Sequence, residues 1–352
     1  MAILDDPLER VREYYGKILQ RSSDLKTSVC CPAESMPPHL YGLIDDIEPE
    51  VLERFYGCGA PIPFALEGCT VLDLGCGAGR DVYLASRLVG ENGHVIGVDM
   101  TEEQLEVAER CLISQMRRYG YAHPNVEFRR GFMEDLANVG IEDGSVDVVI
   151  SDCVINLSPE KERVFAEIFR VLKPGGELYF SDVFADRRLP AHLMTDSVLH
   201  GECLAGAMYE EDFRRVMHRL GYADVRSVCR SPIRIGSAEI ERRIGMARFS
   251  SITVRAFKLD TLEDRCEDYG QMATYLGTIC GYPHRMRLDD HHEFETGSAI
   301  RVCGNTAAML ADTRLSAHFR VQGDRSAHFG RFDCGPGQGP QADDRVQSAG
   351  CC

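Results

Sequence analysis

The hydrophobic positions between residues 69 and 183 follow a repeated strand–helix pattern. A short apolar run at residues 71–74 leads into a glycine-dense turn, and an amphipathic segment follows that turn. Further β-branched or apolar runs occur at residues 94–100, 126–128, 146–153 and 172–180. Short connections between alternating strands and helices predict an α/β fold built on a doubly wound parallel sheet.

Two segments beside these strands have helical spacing. Residues 160–172 predict an amphipathic helix, and apolar residues near the start of the chain share one helical face: Leu8, Val11, Tyr15 and Ile18. Beyond about residue 230 the α/β pattern stops. Residues 251–258 and, more loosely, 294–302 alternate like strands, which predicts a smaller α+β appendage at the C-terminal side.

These patterns divide the chain into four parts. We expect an N-terminal helical segment with cysteine loops over residues 1–68 and a cofactor-binding domain over residues 69–230. An α+β domain is expected over residues 231–334. Residues 335–352 are rich in glycine and proline and end in two cysteines, so we expect a disordered tail.

The net charge of the chain limits which classes of partner it is expected to bind. The chain has 39 lysines and arginines against 55 acids, a net charge of −16. Such a surface repels polyanions, so a nucleic-acid partner is not expected. The start lacks the features of a signal peptide, and no apolar run is long enough for a membrane span, so no membrane partner and a cytoplasmic location are expected. Without coiled-coil heptads, we expect a monomer.

The turn after residue 74 carries the first candidate chemistry. Glycines at positions 75, 77 and 79 let the backbone turn sharply and approach a ligand closely. Asp99 follows Gly79 by twenty residues, where a doubly wound sheet places a carboxylate that accepts hydrogen bonds from a ribose. The alternative is that Asp99 only caps the helix that begins near Thr101.

This loop resembles the first motif of the class I S-adenosylmethionine methyltransferases, Asp-x-Gly-x-Gly-x-Gly. The markers at residues 132–135, 146–153 and 172–180 occur in the order typical of that fold. The resemblance implies S-adenosylmethionine as methyl donor and a set of cofactor-binding residues: Asp73, Gly75, Gly77, Asp99, Met100, Met133 and Glu134.

Fifteen cysteines are many for a cytoplasmic chain, and no Cys-x-x-Cys pair occurs. A zinc ribbon, a thioredoxin-type motif and an extracellular disulfide framework are therefore disfavoured. Three cysteines are set where a ligand can approach: Cys58 between glycines, Cys153 at the end of the fourth strand, and Cys203 among small residues. Several others are interpreted as small buried hydrophobes, namely Cys69, Cys111, Cys229, Cys266 and Cys280.

Short motifs over nearly the whole chain resemble the arsenite methyltransferases. The most specific are Tyr-Gly-Cys-Gly at residues 56–59, Cys-Val-Ile-Asn-Leu at 153–157 and Gly-Glu-Cys-Leu at 201–204. Residues 302–307 and 328–334 are similar to the appended domain of algal and microbial members, which implies that residues 231–334 complete the arsenic site.

The resemblance implies a trivalent arsenic site formed by Cys153 and Cys203, with Cys58 as third ligand or redox partner. It also implies an N-terminal cysteine that pairs with Cys58; Cys30 is the closer match, and the adjacent Cys31 is the alternative. The family match places Tyr56 in the catalytic set. Arsenite or its glutathione conjugates are then the substrate, and glutathione or thioredoxin is the reductant.

Other interpretations stay open at this stage. The chain could methylate a small organic acceptor such as a phenol, quinone or sterol, or it could be a non-catalytic thiol protein that sequesters arsenite or a heavy metal. Tyr14 and Tyr15 could shield a sulfonium with their ring faces or only pack their helix. Residues 289–293, Asp-Asp-His-His-Glu, are a solvated turn or, less in keeping with their spacing, a metal cluster.

Overall fold

A central mixed sheet organises the computed structural model, which describes residues 7–18, 37, 40–57, 59–190, 193, 199, 204–235 and 238–334. Its strands are β1 Thr70–Leu74, β2 His94–Asp99, β3 Val126–Arg130, β4 Val146–Asp152, β5 Leu172–Ala185, β6 Met208–Tyr209, β7 Val225–Pro232 and β8 Phe249–Phe257. The order is β3-β2-β1-β4-β5-β8-β7, with β6 beside β5. Strands β1 to β5 are parallel, and β8 runs antiparallel to β5.

Helices cover both faces of this sheet. They are Pro7–Glu13, Tyr41–Ile44, Pro49–Glu53, Arg80–Val89, Glu102–Tyr119, Lys161–Val171, Glu210–Arg219 and Ala238–Ile244. Neighbouring residues of β1 enter different cores: Val71 packs in the cluster on one face and Leu72 in the cluster on the other. A parallel strand buried on both sides reads as a continuous apolar run. The predicted doubly wound α/β fold is therefore confirmed.

Two predicted elements differ in detail. The predicted helix at residues 160–172 is Lys161–Val171, and Leu172 already begins β5. The N-terminal helix Pro7–Glu13 continues as a π-helical turn, Tyr14–Ile18.

The strand expected in the appendage at residues 251–258 belongs instead to the central sheet. It is β8, which pairs with β5 from Glu177↔Phe257 to Ala185↔Phe249. Alternation within the strand indicated a half-buried strand but could not indicate its partner, because pairing is a long-range choice. The sheet thus continues beyond the boundary expected at residue 230, and the four domain boundaries remain predictions.

A smaller α+β unit follows β8, as predicted. Its strands are β9 Met272–Tyr275, β10 Arg285–Arg287, β11 Glu293–Glu295, β12 Ala299–Arg301 and β13 Phe319–Gln322, and its helix is Gly304–Ala311. Strands β12-β9-β13 form one sheet and β10-β11 a hairpin. The single strand expected at residues 294–302 is two strands, because a turn at Gly297, with φ +80°, separates them.

A buried ion cluster joins this unit to the central sheet. Glu177 on β5 accepts hydrogen bonds from Arg255 Nε at 2.7 Å and from Arg314 Nη2 at 2.5 Å. Glu177 and Arg255 are both fully buried. Across the parts of the chain that the structure describes, no helix combines the length and apolar character needed to cross a bilayer.

Candidate active site

The loop after β1 is held in a shape that only glycine adopts easily. Gly75, Gly77 and Gly79 have φ values of +71°, +52° and +91°. A Cβ on Gly75 would lie 2.4 Å from Cγ1 of Val154, so this glycine also permits a close approach to the loop after β4. The Gly75 amide donates to the Val98 carbonyl at 2.8 Å, which fixes the loop to the end of β2.

Asp99 connects this loop to the start of the next helix. Its Oδ2 accepts a hydrogen bond from the Gly77 amide, and its Oδ1 accepts one from the Thr101 amide, each at 2.8 Å. Thr101 itself occupies the N-cap position of helix Glu102–Tyr119. Burial raises the pKa of Asp99, and the backbone hydrogen bonds partly oppose that shift. Asp99 therefore supports the helix start, and each oxygen keeps a further lone pair for a ligand.

A single cavity lies above this edge of the sheet. It brings together every cofactor-binding residue implied by the sequence, and Tyr56 and Cys153 also line it: Asp73, Gly75, Gly77, Asp99, Met100, Met133 and Glu134. These residues come from separate strand ends and loops and meet at one cavity.

The cavity wall is rich in carboxylates. The Arg80 guanidinium lies 2.7 Å from an oxygen of Asp81 and 3.5 Å from an oxygen of Asp152, and it stacks over the Phe55 ring. Burial first, and then the charges of Asp81 and Asp152, raise the pKa of Asp73 well above its usual value. Arg80 and Asp152 were not identified from the sequence. A cationic ligand would relieve the repulsion among these carboxylates.

Cys153 lies at the carboxyl end of β4 in a left-handed conformation, with φ +57°. The residue is 3% exposed, and its amide donates to the Ser181 carbonyl at 2.8 Å. Its sulfur is part of a disulfide bond, whereas the other eight described cysteines are free thiols. A non-glycine residue with positive φ is uncommon and is typical of functional sites.

The cysteines expected to accompany Cys153, namely Cys30 or Cys31, Cys58 and Cys203, lie outside the described residues. Residues on both sides of Cys58 contact Asp152: the Gly59 amide donates to its Oδ2 at 3.2 Å, and a Cβ on Gly57 would lie 2.1 Å from that oxygen. The chain segments that flank Cys58 therefore reach the end of β4.

The segment after Cys203 reaches the same place. Leu204 and Ala205 share a hydrophobic cluster with Cys153, and a Cβ on Gly206 would lie 2.0 Å from the Asn156 carbonyl oxygen. Partly buried apolar residues from helix Ala238–Ile244 also pack against this cluster. These contacts place three chain segments around the Cys153 loop.

Aromatic rings close one side of the cavity. The ring centroids of Tyr15 and Tyr56 are 5.8 Å apart, those of Tyr14 and Tyr15 are 5.4 Å apart, and the first pair lines the cavity. The side-chain amide of Gln104 donates to the Tyr15 carbonyl at 2.9 Å, which ties the N-terminal segment to helix Glu102–Tyr119.

Comparison with known proteins agrees with this geometry. Residues 65–221 match a family model described as a methyltransferase domain, and residues 269–344 match one described as the arsenite methyltransferase C-terminal domain. An arsenite methyltransferase of Aquipseudomonas alcaligenes is 55% identical over 94% of this chain and 95% of its own length. This chain belongs to the arsenite methyltransferase family.

Other members of the arsenite methyltransferase family extend the comparison. The human arsenite methyltransferase is 42% identical over 91% of this chain and 85% of its own length. A crystal structure of an arsenic(III) S-adenosylmethionine methyltransferase from Chlamydomonas reinhardtii is 50% identical, with a TM-score of 0.82. The structural alignment covers 84% of this chain and 99% of the Chlamydomonas chain. The fold is therefore the class I methyltransferase fold with a C-terminal appendage, as predicted.

The five cysteines interpreted from the sequence as small buried hydrophobes divide into three groups. Cys69 and Cys111 are buried, as predicted. For Cys229 and Cys280 the prediction is wrong, because both are exposed. Cys266 is half-buried and lies beside two other thiols, which its isolated position in the sequence could not indicate.

The turn at residues 289–293 is only partly solvated. Asp290 and His291 are exposed, whereas Asp289 is 2% exposed and pairs with Arg226 at 2.8 Å. Hydrogen bonds and charges from His292 and Arg226 outweigh the effect of burial and lower the pKa of Asp289. Asp289 is therefore a buried structural anion rather than a member of a solvated turn.

Proposed function

We propose that this enzyme transfers a methyl group from S-adenosylmethionine to trivalent arsenic, supplied as arsenite or as its thiol conjugates. The observation that carries the proposal is the single cavity that both Cys153 and the cofactor-binding candidates line. A donor bound along the glycine loop would meet a thiol-held acceptor at the end of β4. Family membership supports the same acceptor.

The cavity fits the donor on two physical grounds. Asp99 can accept hydrogen bonds from a ribose diol while it keeps its hydrogen bonds from the Gly77 and Thr101 amides. The carboxylates of Asp73 and Asp152 line the cavity and would stabilise an ammonium or sulfonium charge there. Tyr15 and Tyr56 line the same cavity, and aromatic rings also stabilise a nearby cation. When bound, S-adenosylmethionine supplies an electrophilic methyl group.

Thiolates suit the acceptor because trivalent arsenic is soft. We propose that Cys153, Cys203 and Cys58 hold it and leave its lone pair directed at the donor. That lone pair is already a nucleophile, so no general base is needed. The role of the chain is then to position the reactants, and alignment of this kind contributes up to roughly 7–11 kcal/mol to lowering a barrier.

Transfer of the methyl group formally oxidises arsenic from the trivalent to the pentavalent state. When two thiols form a disulfide, they release two electrons and two protons. The two electrons reduce pentavalent arsenic back to the trivalent state. The disulfide-bonded state of Cys153 supports such a role for this sulfur. An external thiol, glutathione or thioredoxin, would then reopen the disulfide by exchange. We further propose that the chain acts as a monomer.

Incubation of the reduced chain with arsenite, S-adenosylmethionine and either reductant, followed by arsenic speciation, tests the proposal. Methylated arsenic should form with the wild type and with the control Cys229→Ser, which changes an exposed thiol on β7. It should not form with Cys153→Ser. A reduced wild-type chain that binds the donor but yields no methylated arsenic would overturn the proposal and favour an organic acceptor or a sequestering role.

A further inference from the structure

A second group of thiols lies in the C-terminal unit, separate from the cavity above the sheet. The sulfur atoms of Cys266, Cys303 and Cys334 all lie within 4.8 Å of one another. The residues that line the cavity above the sheet and those that line the cleft beside these thiols have no member in common. The sequence patterns do not indicate that these three cysteines meet, although residues 302–307 and 328–334 resemble the appended domain of the family.

Backbone hydrogen bonds bring the three chain segments together. The Phe332 amide donates to the Cys266 carbonyl at 2.9 Å, and the Gly304 amide donates to the Glu267 carbonyl at 2.9 Å. An isolated antiparallel bridge pairs Glu267 with Arg331. The positions of the thiols are therefore fixed by main-chain pairing and do not depend on side-chain contact alone.

The buried member of the cluster is set up as a thiolate. Cys303 is the N-cap of helix Gly304–Ala311, and its sulfur accepts a hydrogen bond from the Thr306 amide at 3.4 Å. The Arg226 guanidinium lies 3.9 Å from the same sulfur. Helix N-termini and neighbouring cations both stabilise a thiolate.

The other two thiols are open to solvent. Cys266 and Cys334 are half-buried and line an open cleft together with Asp224, Asn305 and Arg331. A small solute can therefore reach these two sulfurs from the cleft and then contact the buried Cys303. One buried anchor with two accessible partners is suited to stepwise capture of a small ligand.

We propose that Cys266, Cys303 and Cys334 form a second binding site for trivalent arsenic, with three sulfur ligands. Arsenous acid enters with three hydroxyl groups, and each arsenic–oxygen bond is replaced by an arsenic–sulfur bond. Two hydroxyls leave as water with the protons of the Cys266 and Cys334 thiols, and the third leaves as water with a proton from solvent, because Cys303 is a thiolate. Three waters are released and no atom changes oxidation state. Three sulfurs complete the coordination of trivalent arsenic, which keeps its lone pair.

The donor set favours arsenic over zinc. A structural zinc ion takes four ligands, and within the described residues no fourth cysteine, histidine or carboxylate donor joins the 4.8 Å group. Arg226 also pairs with Asp224 at 2.9 Å and with Asp289 at 2.8 Å, so its charge stays balanced when the arsenic product is neutral.

Arsenite binding to the full reduced chain, without methyl donor, tests this site independently of methylation. In a Cys153→Ser background, we expect Cys334→Ser to bind one arsenic fewer per chain, measured by mass spectrometry after gel filtration. X-ray absorption of the Cys153→Ser chain should show three sulfur neighbours around the arsenic that the added Cys334→Ser change removes. Loss of an outer-shell partner already costs about 10–100-fold in affinity, so removal of a direct sulfur ligand should cost more than about 100-fold.

Cys280→Ser is the matched control, because Cys280 is an exposed thiol of the same unit outside the cluster. Cys266→Ser provides a second variant at a half-buried position, and circular dichroism checks that each variant folds. Unchanged arsenic content in both folded cluster variants would overturn the proposal. Tightly bound zinc that arsenite does not displace would also overturn it.

Discussion

The Asp99 carboxylate accepts a hydrogen bond from the Gly77 amide, with 2.8 Å between nitrogen and oxygen, and this bond joins the end of β2 to the glycine loop. Asp99→Ala removes this tie and the acceptor proposed for the ribose. A hydrogen bond to a charged group contributes about 1.5–3 kcal/mol, so donor affinity should fall roughly 10–100-fold. Calorimetric titration with S-adenosylmethionine measures the change. Glu106→Ala, on the exposed face of helix Glu102–Tyr119, should bind as the wild type does.

Alanine substitutions at Gly75 and Gly77 distinguish the cost of a steric clash from the cost of backbone strain. Both have positive φ, but only at Gly75 would a Cβ collide with Val154, whereas the space beside Gly77 is open. Gly77→Ala should lower the free energy of unfolding by about 1–2 kcal/mol, the cost of left-handed backbone. Gly75→Ala should cost more. Urea denaturation of the pair gives the difference, and equal losses would argue against the contact with Val154.

The arsenic ligands should differ in their effect on successive methylations. Cys153→Ser and Cys203→Ser should each abolish methylation of inorganic and methylated arsenicals, because two sulfurs are needed throughout. Cys58→Ser should impair the first methyl transfer more than the second, since a methylarsenical offers only two positions to protein sulfur. Chromatographic speciation with arsenite and with monomethylarsenite compares the two steps, and equal impairment would contradict this division.

Glu177 is the shared anion of a buried cluster with Arg255 and Arg314. Glu177→Ala leaves two guanidinium groups without their partner, and removing one member of a buried pair costs about 3–5 kcal/mol. Thermal and chemical denaturation should show this loss. Glu162→Ala breaks an exposed pair with Arg219, so its effect should stay within about 1 kcal/mol.

Asp182 should make stability depend on pH. Burial raises its pKa to about 7, although it accepts hydrogen bonds from Val183 and Asn156. The folded state thus retains a proton that the unfolded state releases near the ordinary value, 3.8. Its contribution to stability is complete below that value and is lost as pH rises through about 7, at roughly 1.4 kcal/mol per unit between the two.

Asp182→Ala should remove this dependence and flatten the fall in unfolding free energy between pH 4 and pH 7. It should also lower stability overall, because the Asn156 side chain donates to Asp182 at 2.7 Å and is buried. Denaturation at several pH values compares the two chains. An identical pH slope in both would show that Asp182 stays ionised in the folded state.

Local patterns could predict the donor side of the site but not the thiol clusters. The glycine loop and Asp99 follow one another in a fixed order along strand, turn and helix, so their spacing determines where they meet. Cys153 could be placed because strand ends share one edge of a parallel sheet. Asp152 and Arg80 are far apart in the sequence and form an ion pair only in the folded chain, so no spacing rule indicates their contact.

The cluster of Cys266, Cys303 and Cys334 shows the same limit more strongly. Its members come from a loop, a helix start and the segment after β13, joined by backbone pairing between distant residues. Each cysteine alone resembles a small buried hydrophobe. The strand β8 was likewise visible as a strand, but its place beside β5 depends on a partner far away in the sequence.

The position of β8 also determines where this protein can be recombined with its relatives. An exchange of the C-terminal unit between homologues would keep the central sheet whole only if the junction follows Phe257. A chimera joined at residue 230 would import a foreign strand against β5 or leave β5 with an open edge, and open edges promote aggregation. The structural boundary between the two parts of this enzyme therefore lies after β8 and not at the end of the α/β pattern near residue 230.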